Sequence, residues 1–304
     1  MALTCRIVTF NCKSVKRSSD GIREFCKTAD IVALQETWLL PDELSFLETL
    51  SDDFSSTGVS AVDTAAGMLR GRPYGGVALL WRRSAFQNVS IVQCHNSRIC
   101  AIRIVLPEKS CIVMSVYMPT DAVANLAEFT DVLSSVNAVI DTYSESCVYI
   151  LGDYNAHPTE RFYIELSQFC IEQEWTCVDV EMLGLMSDTY TFISEAHGSK
   201  RWLDHCVATK AAIASVSNVY VLYDIMWSDH FPLVVECNLN VLQPKKPLNN
   251  TSLNVITWGE RGQEQIHTYQ RECHERLRLI DFPHELRECC DRTCSDPKHG
   301  VAIT

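Results

Sequence analysis

Short apolar runs rich in β-branched and aromatic residues recur through the first 240 residues of this 304-residue chain. Such runs, bounded by turn-forming residues, are typical of β-strands. They cover residues 6–12, 31–37, 76–82, 90–94, 99–106, 111–118, 147–153, 190–194, 203–209, 216–224 and 231–239. Several are almost continuously apolar, which indicates central strands covered on both faces.

Segments with apolar residues at helical spacing lie between these runs, over residues 19–30, 41–50, 121–143 and 160–173. In the first, Ile22, Phe25 and Cys26 share one face, and Asp20 is predicted to be the N-cap. Many strands with peripheral helices predict an α/β sandwich.

The alternation stops near residue 242, which predicts a main domain over 1–242. Residues 243–258 are rich in Pro, Lys and Asn and are predicted to be a linker. The remainder, 259–304, is a charged tail with one predicted amphipathic helix. Its apolar stripe consists of Ile266, Tyr269, Cys273, Leu277 and Ile280.

The formal net charge of −12 argues against a protein that binds polyanions through bulk positive charge. It does not exclude a nuclease, because local basic patches and bound cations offset the global balance. The N-terminus lacks a signal-peptide pattern, and no apolar run is long enough to span a bilayer. The 15 cysteines are therefore expected to be reduced thiols in the nucleus, the cytoplasm or both.

Polar residues gather where the predicted strands end or begin. They are Asn11, Glu36, Tyr117, Asp153, Asn155, Asp204, Asp229 and His230. Each alone has an ordinary explanation as a turn residue, and Asp153 is expected to be exposed. Together they predict a ligand site, because open sheets assemble such sites at strand ends.

The residue types indicate one kind of chemistry. Carboxylate and amide oxygens without paired cysteines suit a hard cation such as Mg²⁺. A histidine beside acids suits proton transfer or stabilisation of phosphate charge. The chain has no glycine-rich phosphate loop, no GxSxG elbow and no HExxH, which argues against nucleotide binding, serine hydrolysis and zinc proteolysis.

Eight motifs occur in a fixed order: "TFNC", "LQET", "YGGVALLW", "VYMP", "GDYNA", "YTF", "LDHC" and "SDHFPL". In this order they resemble the endonuclease/exonuclease/phosphatase superfamily, over residues 4 to 240. The chain most resembles the apurinic-like endonuclease domain of LINE-type (non-LTR) retrotransposons. The resemblance implies a four-layer α/β sandwich, two packed sheets flanked by helices, and Mg²⁺-dependent phosphodiester cleavage that leaves a 3′-hydroxyl.

The resemblance also implies roles for individual residues. Glu36 matches the acidic ligand of Mg²⁺, for which Mn²⁺ is a possible substitute. Asp153 matches the residue that orients or deprotonates the attacking water, and Asn155 the amide that fixes Asp153 and the phosphate. Asn11 would orient Glu36 and Asp153 by hydrogen bonding, and Tyr117 would donate its hydroxyl to phosphate.

Asp204 and His230 are placed by the resemblance as a hydrogen-bonded pair, in which protonated His230 stabilises charge on the phosphate. Asp229 would support the metal or this histidine. Thr191 and Ser228 are weaker substrate-binding candidates.

One position departs from the pattern. Some members of the family carry a second acid where this chain has Lys13, which favours a single metal at Glu36. Lys13 and Arg201 are expected to line the phosphate path. Trp202, in the loop before Asp204, either probes a groove or packs in the core.

The leading hypothesis is a DNA endonuclease that nicks duplex DNA, with no membrane partner. A phosphatase or phospholipase of the same fold is the first alternative, and a non-catalytic captured retroelement protein the second. The tail resembles the segment that joins such endonucleases to a reverse transcriptase. It is expected to dock on the main domain or on a reverse transcriptase absent from this chain.

Overall fold

The computed structural model describes residues 4–64, 71–106, 109–239 and 263–278. The chain divides into two compact units, Met1–Lys246 and Pro247–Thr304. The predicted boundary at residue 242 and the predicted linker over 243–258 fall outside the described residues.

The first of two six-stranded sheets contains the chain's first strand at its centre. Its order is β13 (Val216–Val221), β14 (Leu233–Asn238), β1 (Thr4–Asn11), β2 (Ile31–Gln35), β4 (Val77–Arg82) and β3 (Phe54–Val59). Strands β1 and β2 are parallel, and the other neighbours are antiparallel.

The second sheet has the same plan, with one parallel pair near its centre. Its order is β5 (Val89–Val92), β6 (Ile99–Leu106), β7 (Lys109–Tyr117), β8 (Val148–Asp153), β12 (Asp204–Thr209) and β9 (Trp175–Cys177). Strands β7 and β8 form the parallel pair. A short hairpin joins β10 (Phe192–Ile193) to β11 (Lys200–Arg201).

The α-helices are α1 (Ser19–Thr28), α2 (Leu126–Tyr143), α3 (Arg161–Gln173), α4 (Val178–Leu183), α5 (Lys210–Ile213) and α6 (Gln263–Arg278), with 3₁₀ helices over Pro41–Thr49 and Val123–Asn125. Helices α1, α2 and α3 follow predicted segments with shifted ends, the predicted segment 41–50 is a 3₁₀ helix, and the short helices α4 and α5 were not predicted. Asp20 is not the N-cap of α1, because the helix begins at Ser19 and its N-cap is Ser18, two residues before the predicted position. Asp20 lies in the first turn and pairs with Arg23.

The buried apolar residues form three clusters, which define the layers. One lies between the sheets and includes Ile7, Leu79 and Tyr149. A second joins the outer face of the second sheet to α2 and α3, and a third joins the first sheet to α1 and the 3₁₀ helix over Pro41–Thr49. Two mixed sheets flanked by helices confirm the predicted four-layer sandwich.

Strand directions bring one set of strand ends together. The carboxyl ends of β1 and β2 lie beside the amino end of β14, because β14 is antiparallel to β1. The carboxyl ends of β7 and β8 lie beside the amino end of β12 for the same reason. This edge of both sheets carries the predicted site residues.

Among the described residues, no helix is long and apolar enough to cross a bilayer. The cysteines of this part of the chain are free thiols, and most are buried. Helix α6 confirms a helix in the tail and contains the predicted apolar stripe except for Ile280, which lies outside the described residues. The predicted docking of this tail stays a prediction.

Candidate active site

Asn11, the last residue of β1, connects the two sheets. Its amide nitrogen donates hydrogen bonds to Glu36 Oε1 at 3.1 Å and to Asp153 Oδ2 at 2.9 Å. Glu36 follows β2 in the first sheet, whereas Asp153 ends β8 in the second. Asn11 is 1% exposed, so one buried amide holds two carboxylates close together. Because these carboxylates belong to different sheets, their proximity cannot be predicted from local sequence.

Glu36 is held by three donors from three different segments. Besides Asn11, the Tyr117 hydroxyl donates to Oε1 at 2.8 Å and Trp38 Nε1 donates to Oε2 at 3.1 Å. Burial raises the pKa of Tyr117, and the nearby Asp153 and Glu36 carboxylates raise it further. Tyr117 therefore stays protonated and orients Glu36.

The backbone around Glu36 is strained, with φ of 52° at Glu36 and 54° at Trp38. The "YGG" motif supports it, because the amides of Thr37 and Trp38 donate to the carbonyls of Gly76 and Gly75. A Cβ at Gly76 would lie 2.5 Å from Thr37 Oγ1, so the loop passes where only glycine fits. Sequence reasoning missed Trp38, although it lies two residues after Glu36.

Asp153 is buried, at 1% exposed, and this corrects the expectation of an exposed strand end. Its second oxygen, Oδ1, accepts the backbone amide of Asn155 at 2.9 Å. Burial raises the pKa of Asp153, the charge of His230 lowers it, and the charge of Asp204 raises it again. The resulting pKa is about 7. Burial therefore gives this carboxyl group a pKa suited to exchanging a proton near neutral pH.

Asp204 and His230 form the pair that the resemblance implied. His230 Nδ1 lies 2.8 Å from Asp204 Oδ2, and Nε2 lies 3.8 Å from Asp153 Oδ2. Burial lowers the pKa of His230, but Asp204 and Asp153 outweigh it and raise this pKa to about 9. Within the described residues, Asp204 Oδ1 is buried without a hydrogen-bond partner.

Two predicted residues, Thr191 and Ser228, support the site from below the residues that line it. Thr191 is fully buried, and its hydroxyl accepts the backbone amides of Leu203 and Asp204 at 2.9 Å each. It positions Asp204, which corrects its predicted contact with substrate. Ser228 donates to the Asn11 carbonyl at 2.9 Å, and the His230 amide donates to Ser228 at 3.2 Å.

Asn155 has a left-handed backbone, with φ of 49°. Its side-chain nitrogen donates to the Met118 carbonyl at 2.9 Å, and its backbone amide holds Asp153. The side chain thus ties the turn after β8 to the segment after β7. The part of Asn155 that fixes Asp153 is the main chain.

The predicted phosphate-path cations are engaged in ion pairs. Lys13 Nζ lies 2.7 Å from Asp229 Oδ2, so Asp229 pairs with the cation that replaces the expected second acid. Arg201 pairs with Glu160. Trp202 is 1% exposed, so it packs in the core and does not probe a groove.

An open groove of about 590 Å³ leads to the other side of Glu36. Its walls include Trp38, Arg72, Arg98 and Tyr117. The Arg72 guanidinium lies 4.6 Å from the centroid of the Trp38 ring, and that of Arg98 lies 5.7 Å from the Tyr117 ring. Cations stacked on aromatic rings give this groove a surface suited to an anionic, partly planar ligand.

The donor set fits a divalent metal ion. Glu36 Oε2 accepts one hydrogen bond and keeps a lone pair for a cation, and Mg²⁺ is commonly held by one or two carboxylates together with water and phosphate. The donor atoms of Asp153, Asp204 and His230 lie within 4.8 Å of one another, so this buried group could also hold a metal ion.

Several solved structures share the fold at low sequence identity. An apurinic endonuclease from Leishmania major has a TM-score of 0.66 and 14% identity, with 77% of this chain and 88% of that chain covered. The endonuclease domain of TRAS1, a telomere-specific non-LTR retrotransposon, gives 0.58 and 14%, with 78% and 99% covered. A 3′ phosphatase from Neisseria, NExo, bound to a product DNA hairpin, gives 0.58 and 17%, with 77% and 99% covered.

A comparison with curated protein sequences gave no match. The family model for the endonuclease/exonuclease/phosphatase family matches residues 8–230, which is most of the chain and includes Asn11, Glu36, Asp153 and His230. The members of this family are typically phosphodiester hydrolases that use divalent metals. The matched span, together with the sandwich and its strand-end carboxylates, establishes that the chain belongs to the endonuclease/exonuclease/phosphatase family.

Proposed function

We propose that the chain is a Mg²⁺-dependent DNA endonuclease that nicks duplex DNA and leaves a 3′-hydroxyl. The observation that carries this proposal is the pair of hydrogen bonds from Asn11 to Glu36 and Asp153. They hold a candidate metal ligand and a candidate base next to each other, with the Asp204–His230 pair beside them. Phosphodiester hydrolysis needs these three functions together.

Asp153 is the proposed base for the attacking water. A carboxylate with a pKa of about 7 takes a proton near neutral pH more readily than an ordinary aspartate. Asn11 and the Asn155 amide fix both of its oxygens, which restricts the direction of proton transfer.

His230 is the proposed electrostatic stabiliser. Its pKa of about 9 keeps it protonated at neutral pH, and Asp204 fixes the ring through Nδ1. The Nε2–H group lies on the Asp153 side of the ring. There it can stabilise the negative charge that phosphate oxygens gain during the reaction.

Glu36 is the proposed ligand of a single Mg²⁺, with Mn²⁺ as a possible substitute. The ion would neutralise charge on the phosphate when bound. Asn11, Tyr117 and Trp38 orient the Glu36 carboxylate for this task. Because Lys13 occupies Asp229, a second ion at that position is disfavoured.

DNA is the proposed partner on two grounds. The groove beside Glu36 presents Arg72 on Trp38, which suits a phosphate backbone with exposed bases. Two similar structures are described as a retrotransposon endonuclease domain and as an enzyme bound to a DNA hairpin. The activity is assigned to residues 1–242, with 243–258 as a linker and 259–304 as a separate tail.

The test is incubation with supercoiled plasmid and Mg²⁺, with an EDTA control. We expect relaxed circles from the wild type and from Glu24→Gln, a matched change on the exposed face of α1, but not from Glu36→Gln. Extension of the nick by a DNA polymerase checks the 3′-hydroxyl. Relaxation that survives EDTA or Glu36→Gln contradicts the proposal.

A 3′ phosphatase is the second candidate, because one similar structure carries that description. A DNA hairpin with a 3′-phosphate separates the two. Release of inorganic phosphate without plasmid nicking favours the phosphatase.

A further inference from the structure

A second buried His–Asp pair lies directly behind the candidate site. Successive residues of a strand point to opposite faces, so Asp204 faces the other sheet while His205 faces the helix layer. His205 is fully buried, and its Nδ1 lies 2.8 Å from Asp179 Oδ2. Its Nε2 lies 2.7 Å from the carbonyl oxygen of Ala156. Neither residue is among those that the sequence singled out.

The partners of His205 specify its charge. Nε2 can bond the Ala156 carbonyl only as an N–H donor, and Nδ1 donates to Asp179 Oδ2 when that group is a carboxylate. His205 is therefore an imidazolium paired with the Asp179 carboxylate. Burial lowers the pKa of His205, but Asp179 outweighs burial and raises it, in agreement with the geometry.

Every polar atom of this pair is used. Asp179 Oδ1 accepts the backbone amide of Cys206 at 2.8 Å and lies 3.5 Å from Cys177 Sγ. The donor atoms of Cys177, Asp179 and His205 lie close enough together for a metal ion, but their hydrogen bonds are complete without one. The contacts thus favour an ion pair.

The carbonyl that His205 holds belongs to the turn after β8. We define this turn as residues 153–157, from the last residue of β8 onwards, so that it contains Asp153 and Asn155. It has two further connections to the segment before β12: Tyr154 N donates to the Leu203 carbonyl, and Trp202 N donates to His157 Nδ1. The third connection is the hydrogen bond from charged His205 to the Ala156 carbonyl, and Asp179 of α4 holds the His205 ring in place.

We propose that His205 and Asp179 are positioning residues, which lock the 153–157 turn so that Asp153 and the Asn155 amide keep their places. This inference rests on the proposed function of Asp153. Neither residue touches substrate. Their effect reaches the reaction through the Ala156 carbonyl, and it falls on the chemical step because a small displacement of a reacting group slows catalysis strongly.

The test compares His205→Phe and Asp179→Asn with Val207→Ala in the full chain. Val207 lies two residues after His205 on β12 and packs in the outer apolar cluster, and its side chain has no hydrogen-bonding group with which to hold the Ala156 carbonyl. Each protein is assayed for plasmid nicking at the same interval below its own Tm. We expect kcat to fall about 10- to 100-fold in the first two, with KM for DNA nearly unchanged, and to stay near wild type in Val207→Ala.

Amide hydrogen exchange gives a second measurement that needs no activity. We expect faster exchange at Tyr154 and Asn155 in His205→Phe and unchanged exchange at Val148 and Ile150. If the wild type does not nick DNA but this local change occurs, the positioning role stands and the proposed function fails. Unchanged exchange at Tyr154 and Asn155, an equal kcat loss in all three variants, or stoichiometric zinc that Cys177→Ser removes would overturn the positioning role.

Discussion

Asp204 and His205, adjacent residues of β12, belong to two buried His–Asp pairs with the same 2.8 Å separation, yet the surroundings of the pairs differ. His205 and Asp179 have every polar atom engaged by main chain or by each other. Around His230 and Asp204, one carboxylate oxygen has no hydrogen-bond partner within the described residues, and Nε2 lies 3.8 Å from Asp153. A saturated pair can only hold structure, whereas a pair with unused hydrogen-bonding capacity can respond to a ligand.

The largest expected effect comes from Asp153. Asp153→Asn keeps the volume and an oxygen for the Asn155 amide but removes the base, so we expect kcat for nicking to fall by about 10³-fold or more. Single-turnover cleavage of a nicking substrate measures this. The Asp179→Asn protein is the matched control, and an equal loss in both would contradict the assignment of the base to Asp153.

The next effect concerns His230, which is expected to stabilise charge on the phosphate. His230→Gln retains a hydrogen-bonding group without charge, and we expect kcat to fall by about 10²- to 10³-fold. Circular dichroism and Tm show whether the fold is retained. Activity within about threefold of wild type, in a folded protein, would remove His230 from the mechanism.

A smaller and more diagnostic effect is expected for Asp204→Asn. Active enzyme needs Asp153 deprotonated and His230 protonated, so activity should rise with pH through about 7 and fall through about 9. The Asp204 carboxylate raises the pKa of both groups, so its removal should move both limbs to lower pH.

The pH–rate profiles of the wild type and Asp204→Asn measure this shift. The limbs report the coupled group as a whole and not single residues. His205→Phe serves as the control. Its pH–rate profile should keep both limbs at the wild-type pH values, with a lower maximal rate. If the alkaline limb does not move in Asp204→Asn, the Asp204–His230 pair has a structural role only, as proposed for the Asp179–His205 pair.

The smallest effect is expected from the tail. A chain that ends at Asn240 keeps both pairs, which lie within residues 153–230, and should nick plasmid within about twofold of the full chain. Initial rates at equal folded concentration measure it. Folded but inactive protein would show that the tail completes the site.

The sequence predicted an α/β sandwich because its central strands are almost continuously apolar and helical segments lie between them, and the resemblance supplied the four layers. It missed β3, whose residues Phe54–Val59 are mostly half-buried and poor in large apolar side chains. It also missed β9, a three-residue strand that only its partner β12 defines. Short edge strands are determined by their neighbours, so local pattern does not indicate them.

In the site, the polar residues at strand ends and the ordered motifs were sufficient to predict Asn11, Glu36 and Asp153, which hydrogen bonds join in the structure. Three features could not be predicted from local pattern. The burial of Asp153 depends on the opposing sheet, the Lys13–Asp229 pair joins residues far apart in the chain, and Thr191 acts through its burial. Asp179 has no motif, and only the contact with His205 reveals it.

The hydrogen bond from Asn11 to Asp153 also bears on how the protein folds. The two residues are 142 positions apart and end strands of different sheets, so the bond requires the two sheets to be packed together. Contacts of such high sequence separation form late, because the loop-closure entropy must be overcome first. During refolding, catalytic activity should therefore return after the far-ultraviolet signal of the strands and helices, so that enzymatic turnover reports the docking of one half of the molecule on the other.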